Sequence, residues 1–205
     1  GFNPGGEREI YSLDEIINIF DISKIQKGGA VFNIEKLNWF NKEYIKLQKE
    51  EDQIYFIKKY LKNTDIFSDE IIKKLRKIII ERITHYGEIN ALYNNGELDY
   101  YINSPKYENP EKIIWKKSDK NTTISNIKEI KNILSKNLNE ENLENVWNEI
   151  NLLAEKLGKG DVLWPLRYIL SGKDKSPDPK TLLEIIGIKE TINRINNALL
   201  VLENL

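Results

Sequence analysis

The sequence predicts an all-α protein, and three observations carry that prediction. Apolar residues recur three and four positions apart in run after run, which places them on one face of a helix. Side chains that cap helices stand in front of several of these runs. No pair of alternating apolar and polar segments flanks a tight turn, and no fixed-period repeat is present.

The elements follow in order. Ser12-Leu13-Asp14-Glu15 has the form of a capping box, in which Ser12 and Glu15 satisfy backbone donors reciprocally, and Ile16, Ile17, Ile19 and Phe20 come next. A looser stretch from Asp21 ends at Gly28-Gly29. Asn33 caps a second helix, with Leu37, Trp39 and Phe40 expected to face inward and the helix continuing to Ile45. A third helix is read over 53–61, interrupted at Thr64-Asp65. Ser68 caps a long fourth one, where Asp69 and Glu70 complement the helix dipole and Ile71, Ile72, Leu75, Ile78, Ile79 and Ile83 form the stripe. Gly87 either ends it or marks a close approach. Residues 94–109 read as loop, and Asn109-Pro110 as a helix start with proline at the first position. Ile124, Ile127, Ile130, Ile133 and Leu134 predict a helix running to about Leu138. Asn139 is expected to cap the next, with Leu138 and Leu143 as a hydrophobic staple and Gly158 as its end. Helices over 162–170, 179–186 and 189–203 complete the chain, the last two separated by Gly187. The polar runs 46–52 and 116–123 are the expected borders. They give a short helical segment over 1–50 followed by two helical bundle-like subdomains, 51–120 and 121–205.

Composition excludes several chemistries. Without cysteine there are no disulfides or thiolate metal sites, and His85, the single histidine, rules out histidine-cluster metal sites. The carboxylates are scattered, with no pair marked for acid–base work. The expectation is therefore no catalytic residue and no metal ligand. A net charge of −1 gives no global attraction to nucleic acid, so any such binding must come from a local patch. The longest apolar runs are far shorter than the roughly 20 residues of a membrane span, so no membrane is expected. The first six residues have neither the basic segment nor the apolar core of a secretory signal, and with Gly rather than Met at position 1 the chain is expected to start partway through a longer protein.

Two blocks carry a family resemblance. Glu7-Arg8-Glu9-Ile10-Tyr11-Ser12-Leu13-Asp14-Glu15, then Phe20-Asp21-Ile22-Ser23-Lys24-Ile25 and Ala30-Val31-Phe32-Asn33-Ile34-Glu35-Lys36-Leu37-Asn38-Trp39-Phe40-Asn41-Lys42-Glu43-Tyr44-Ile45, resembles the stem-contact region that follows the catalytic domain of bacterial glutamyl-tRNA synthetases. Trp164-Pro165-Leu166-Arg167, Ser171-Gly172, Ser176-Pro177 and Ile186-Gly187 leading into Ile192-Asn193-Arg194-Ile195 is similar to the anticodon-binding end of the same family, in the same order. The resemblance implies a helical anticodon-binding cage, with glutamate tRNA as the partner of a cytoplasmic monomer. It assigns ATP and magnesium to a class I catalytic domain whose HIGH-like and KMSKR-like signatures are missing here, so no cofactor is expected in this chain and the isolated chain is expected to be inactive. Where the family continues past Pro177 with an apolar and an aromatic residue, this sequence has Asp178, Pro179, Lys180 and Thr181.

The resemblance makes Arg167 the leading RNA-binding candidate, since a planar five-donor fork both stacks on and hydrogen-bonds unpaired bases. The plain alternative is an ion pair with a nearby carboxylate. Ser176, Pro177 and Lys180 fall on the turn that contacts the anticodon in the family, against ordinary turn and cap chemistry. Lys73, Lys74 and Lys77 are candidate phosphate contacts, against a solvated helix face. Trp164 is read first as core and second as a stacking platform; Trp39, Trp115 and Trp147 are read as core, and His85 as a partly buried helix residue. Two other functions stay open: a free-standing helical module docking a protein partner, and a synthetase that also charges glutamine tRNA.

Overall fold

Several helices begin where the sequence puts a side-chain oxygen in front of them. The computed structural model describes residues 2–26, 28–29, 31–61, 67–138 and 143–205, and among these are ten α-helices. They are α1 (Leu13–Ile19), α2 (Ile34–Leu47), α3 (Glu50–Tyr60), α4 (Asp69–Arg82), α5 (Ile89–Asn94), α6 (Asp99–Ile102), α7 (Lys120–Lys136), α8 (Leu143–Leu157), α9 (Lys159–Ser171) and α10 (Pro179–Glu203). No strand occurs among the described residues, in keeping with the all-α prediction. The capping box of α1 is complete: Ser12 Oγ accepts from Glu15 N at 3.2 Å, and Glu15 Oε2 from Ser12 N at 2.7 Å. Asn33 caps α2 through Lys36 N, and Ser68 caps α4 through Ile71 N. The break at Thr64-Asp65 and the Asn139 cap with its staple lie outside the described residues.

The chain forms two compact units, one of Gly1–Lys62 with Arg76–Ala91 and one of Asn63–Leu75 with Leu92–Leu205. The division expected from polarity differs. Its first border falls between α2 and α3, both in the first unit, and its second falls at the start of α7, inside the second. Residues 46–52 are polar because they hold the exposed junction and the acidic first turn of α3, and that helix starts at Glu50 rather than Gln53. Gln53 itself is buried, donating to the Ile45 carbonyl at 2.7 Å and accepting from Arg76.

Ile45, Ile57, Ile79, Ile80 and Ile83 make the core of the first unit. Leu37 and Trp39, expected to face inward, are each 42% exposed, because α2 buries only Ile45. Periodicity identifies an apolar face without saying what covers it. In place of a helix running toward Gly87, α4 ends at Arg82, and residues 86–88 form a 3-10 turn stabilised by Glu88, which accepts from Thr84 N at 2.6 Å. His85 precedes that turn as an exposed residue rather than a helical one.

In the second unit α7, α8, α9 and α10 pack on one another around Ile127, Ile130, Ile150, Leu166, Ile169 and Ile195. The helix expected from Ile124 starts four residues earlier, because Asp119 caps it through Thr122 N at 3.0 Å and the polar Thr123 and Asn126 face inward. It ends at Lys136 rather than near Leu138. The stretch 94–109 is not all loop: α6 buries Tyr100 and Tyr101. The expected helix start at Asn109-Pro110 is a single 3-10 turn, Pro110–Ile113. Gly187, at φ 82°, separates the two halves of α10 as predicted.

Arg194 on α10 is the largest polar side chain in the interior, 1% exposed. Its guanidinium donates to the carbonyls of Tyr100 (2.6 Å), Leu170 and Asn103 (3.2 Å), and to Glu190 Oε1 (2.8 Å). It thus joins α10 to the end of α9 and to the segment around α6. Removing it strands those carbonyls in the interior, where each unpaired acceptor costs ~1–3 kcal/mol. Arg194→Leu is therefore expected to lower unfolding free energy by about 3–5 kcal/mol in urea titrations, with Arg194→Lys recovering only part.

Burial raises the Glu190 carboxyl, but hydrogen bonds from Ser104, Arg194 and Asn193 outweigh it and hold the group below its ordinary range. A carboxyl depressed by folding stabilises above its unfolded value and loses that contribution as pH falls through the folded one. Urea midpoints of the wild type should therefore drop as pH falls below about 4, and those of Glu190→Gln should drop less steeply.

Candidate nucleic-acid interface

Arg167 sits on α9, whose course is set by a proline. Pro165 has no N–H, so the carbonyl of Asp161 four residues earlier loses its helical partner. The buried side chain of Asn126 on α7 donates to that carbonyl at 3.2 Å. Gly158, at φ 107°, turns the chain out of α8 and into this helix. The helix ends at Gly172, in the left-handed region at φ 64°, where an added Cβ would lie 2.8 Å from Pro105.

The Arg167 guanidinium lies over the Trp164 indole, 4.7 Å from the ring centroid, and donates through Nη2 to the Asp174 carbonyl at 3.0 Å. The sequence-based alternative for Arg167, an ion pair with a carboxylate, is not what the geometry gives, since the acceptor is a backbone oxygen. Trp164 is half-buried: its indole N–H donates to the Lys112 carbonyl at 2.9 Å, and its ring packs 5.3 Å from Trp115. Gly160 makes room for Trp115, because a Cβ there would stand 2.5 Å from the indole nitrogen. Trp164 is thus partly core and partly platform, with the arginine on one face.

Lys112 Nζ pairs with Asp174 Oδ2 at 2.7 Å, and this hydrogen bond and charge raise the ammonium above its ordinary range. Asp174 therefore holds two cations, Arg167 by its carbonyl and Lys112 by its carboxylate. Neither Lys112 nor Asp174 was singled out from sequence. They stand 62 residues apart, and no local pattern links a lysine in a 3-10 turn to an aspartate after a glycine.

The remaining candidates are placed as follows. Ser176 and Pro177 are half-buried in the turn before α10, the serine hydroxyl donating to the Pro177 carbonyl at 3.2 Å. Asp178 caps α10, accepting from Thr181 N at 3.1 Å and from its hydroxyl at 2.6 Å, so the departure from the family pattern supplies an ordinary helix start. Lys180 pairs with Glu144 at 2.8 Å and lies 3.9 Å from Glu184, contacts that raise its ammonium above its ordinary range. It is directed to acidic partners rather than left as a bare cation. On α4, Lys73 and Lys77 are exposed, while Lys74 pairs with Glu70 at 3.0 Å. Arg76 of the same basic run is committed to the first unit's interior, bonded to Gln53 and to Glu50. Trp39 is exposed rather than core, and Trp115 and Trp147 are half-buried. Among the described residues no helix is long and apolar enough to cross a membrane, and no group of three acidic or histidine side chains is placed to hold a metal.

If Asn126 replaces the hydrogen bond that Pro165 removes, Asn126→Leu leaves the Asp161 carbonyl unpaired and lowers stability by ~1–3 kcal/mol in chemical denaturation. Pro165→Ala in that background should restore part of the loss, because the amide at 165 then supplies the helical donor. An additive double mutant would show that the two residues are not coupled.

Residues 53–199 match the model of the family described as "Anticodon binding domain". The chain is 36% identical over 204 residues to a glutamate–tRNA ligase of Clostridium acetobutylicum and 33% identical over 202 residues to one of Clostridium botulinum; each alignment covers 95% of this chain and 40% of the relative. Among solved structures it resembles a glutamate tRNA ligase from Elizabethkingia meningosepticum in complex with its amino acid, at a TM-score of 0.77 and 36% identity, over 98% of this chain and 39% of that one. The chain thus spans about two-fifths of the length of these relatives. By the match over 53–199, it belongs to the anticodon binding domain family.

Proposed function

We propose that this chain is the tRNA-holding portion of a glutamate–tRNA ligase and that it reads the anticodon of glutamate tRNA. The observation that carries the reading is the state of Arg167. Its guanidinium lies over the Trp164 ring and is steadied by a neutral carbonyl, so its charge is not cancelled by a direct carboxylate contact. A guanidinium prepared in this way stacks on an unpaired base and donates to its edge with little ordering cost. Ser176 and Pro177 lie on the turn nine and ten residues on, and the exposed Lys73 and Lys77 offer phosphate contacts outside the anticodon.

In the whole protein such a domain fixes the register of the tRNA so that its acceptor end reaches a catalytic part, where ATP and magnesium would serve the ligation of glutamate. The reading makes the protein a cytoplasmic monomer whose partner is RNA. Support comes from the family match, from the glutamate–tRNA ligase relatives and from the geometry at Arg167.

Arg167→Ala should weaken binding of a glutamate tRNA transcript by roughly 1–3 kcal/mol and relax discrimination at one anticodon position. Filter binding across single-base anticodon variants at several salt concentrations measures both. Equal affinities of wild type and mutant for every variant would sink the reading. Flat salt dependence together with tight binding to a protein would favour a protein-docking module instead.

A further inference from the structure

Four residues from three stretches of the second unit close a circuit around the Arg167 side chain. The Trp164 indole N–H donates to the Lys112 carbonyl at 2.9 Å, and the Arg167 guanidinium lies 4.7 Å from the Trp164 ring centroid. Arg167 Nη2 donates to the Asp174 carbonyl at 3.0 Å, and Lys112 Nζ donates to the Asp174 carboxylate at 2.7 Å. Within this circuit one anion stands between two cations. Asp174 gives its backbone oxygen to the arginine and its charge to the lysine, and a rotation about its Cα–Cβ bond is enough to change that assignment.

The ion pair is not needed to hold the chain in place. Gly172 N donates to the Tyr168 carbonyl at 2.7 Å. The buried Ser171 hydroxyl donates to the Arg167 carbonyl at 2.9 Å and accepts from Lys173 N at 3.2 Å, so the backbone leading to Asp174 is fixed without Lys112. Lys112 is rooted in its own 3-10 turn, next to the fully buried Ile113. Both partners reach into solvent, with side chains 45% and 55% exposed, and ion pairs in that setting add little to stability. What the lysine decides is where the carboxylate points. A guanidinium takes a carboxylate through two parallel charge-assisted hydrogen bonds, a stronger contact than the single one it makes to a carbonyl. Were Asp174 released, Arg167 would turn its donors to it, and an arginine so engaged keeps neither the free charge nor the free edge that a base takes.

Resting on the anticodon reading above, we infer that Lys112 is a positioning residue for Arg167: by occupying the Asp174 carboxylate it keeps the guanidinium on the Trp164 face with its charge open to RNA. The lysine acts on a neighbouring anion and not on RNA, which sets it apart from a lysine that neutralises a phosphate. Loss of a phosphate contact weakens every transcript alike. Loss of a positioning lysine acts only through Arg167, and removing the anion makes the lysine dispensable.

The test measures binding of a glutamate tRNA transcript and its single-base anticodon variants to the chain carrying Lys112→Gln, Asp174→Asn or both. Circular dichroism checks that each variant is folded. Lys112→Gln should weaken the parent transcript roughly five- to ten-fold and relax discrimination at the same anticodon position as Arg167→Ala. Asp174→Asn should bind like wild type, and the double variant should regain both affinity and discrimination, a rescue that a merely structural pair does not give. Without RNA, the Arg167 Nε–H resonance, assigned by its loss in Arg167→Ala, should move in Lys112→Gln and return in the double variant. A loss in Lys112→Gln that is equal for all transcripts, or that Asp174→Asn does not rescue, would overturn the inference. So would wild-type binding by Lys112→Gln, or an unmoved Nε–H resonance. Each of these results leaves the anticodon reading intact as long as Arg167→Ala is impaired. If Arg167→Ala binds every transcript like wild type, both readings fall.

Discussion

A charged side chain in the interior of a helical layer governs the part of the second unit around the end of α9. Arg194 is desolvated, and a bare guanidinium there would be prohibitive, so its place depends on every donor finding an oxygen. It finds three carbonyls and a carboxylate. Those carbonyls belong to pieces of chain that lack a regular helix's internal pairing: the end of α9, where the last carbonyls have no intrahelical donor, and the short α6 with the turn behind it. One planar fork thereby replaces the secondary structure that the segment 99–109 is too short and too polar to make. A lysine offers three donors from one point and does not span the same separation.

Position at the surface follows from this interior arrangement. Arg167 lies one turn before the carbonyl that Arg194 holds, on a helix where a proline has removed a hydrogen bond and an asparagine from α7 has taken its place. The helix is therefore fixed at both ends of its exposed turn. Trp164 and Arg167 then stack where an ion pair with Asp174 would otherwise draw the guanidinium aside, because the Asp174 carboxylate is turned to Lys112. An arginine oriented by neutral oxygen and an indole face keeps its Coulombic reach while losing much of its conformational freedom, which on the proposed reading serves selective contact with a base.

Legibility in the sequence divides along the range of the interaction. Caps at Ser12, Asn33 and Ser68 and the break at Gly187 were readable, because each is decided within four residues. The start of α7 was missed for a related reason. Asp119 caps locally, yet the polar appearance of 116–123 hides that Thr123 and Asn126 turn inward, Asn126 to meet the Asp161 carbonyl of another helix. Arg167 was legible only through resemblance, since its surroundings are built by Lys112 and Asp174, residues from separate stretches that no periodicity joins. Arg194 was legible only as part of a matching string. An arginine in a helix reads as a solvated face, and nothing within a turn announces three carbonyls waiting from 24 to 94 residues away. Leu37 and Trp39 fail in the opposite sense: their spacing is that of a core stripe, while coverage depends on neighbours that spacing does not encode.

The charge balance bears on how such a domain selects RNA. With 31 basic and 32 acidic residues, the molecule has no general field to concentrate polyanions, and several of its lysines are paired with carboxylates. Counterion release from a few phosphate contacts then contributes only modestly to affinity, and equally for every tRNA. A larger share of the binding energy must come from stacking and base-edge hydrogen bonds, which differ between sequences. If Arg167 reads the anticodon as proposed, a near-neutral surface raises the weight of discrimination relative to attraction, because a wrong anticodon that loses the contacts at Arg167 has little nonspecific binding to fall back on. On that reading, the carboxylates that pair with these lysines weaken overall binding and sharpen the choice among competing tRNAs.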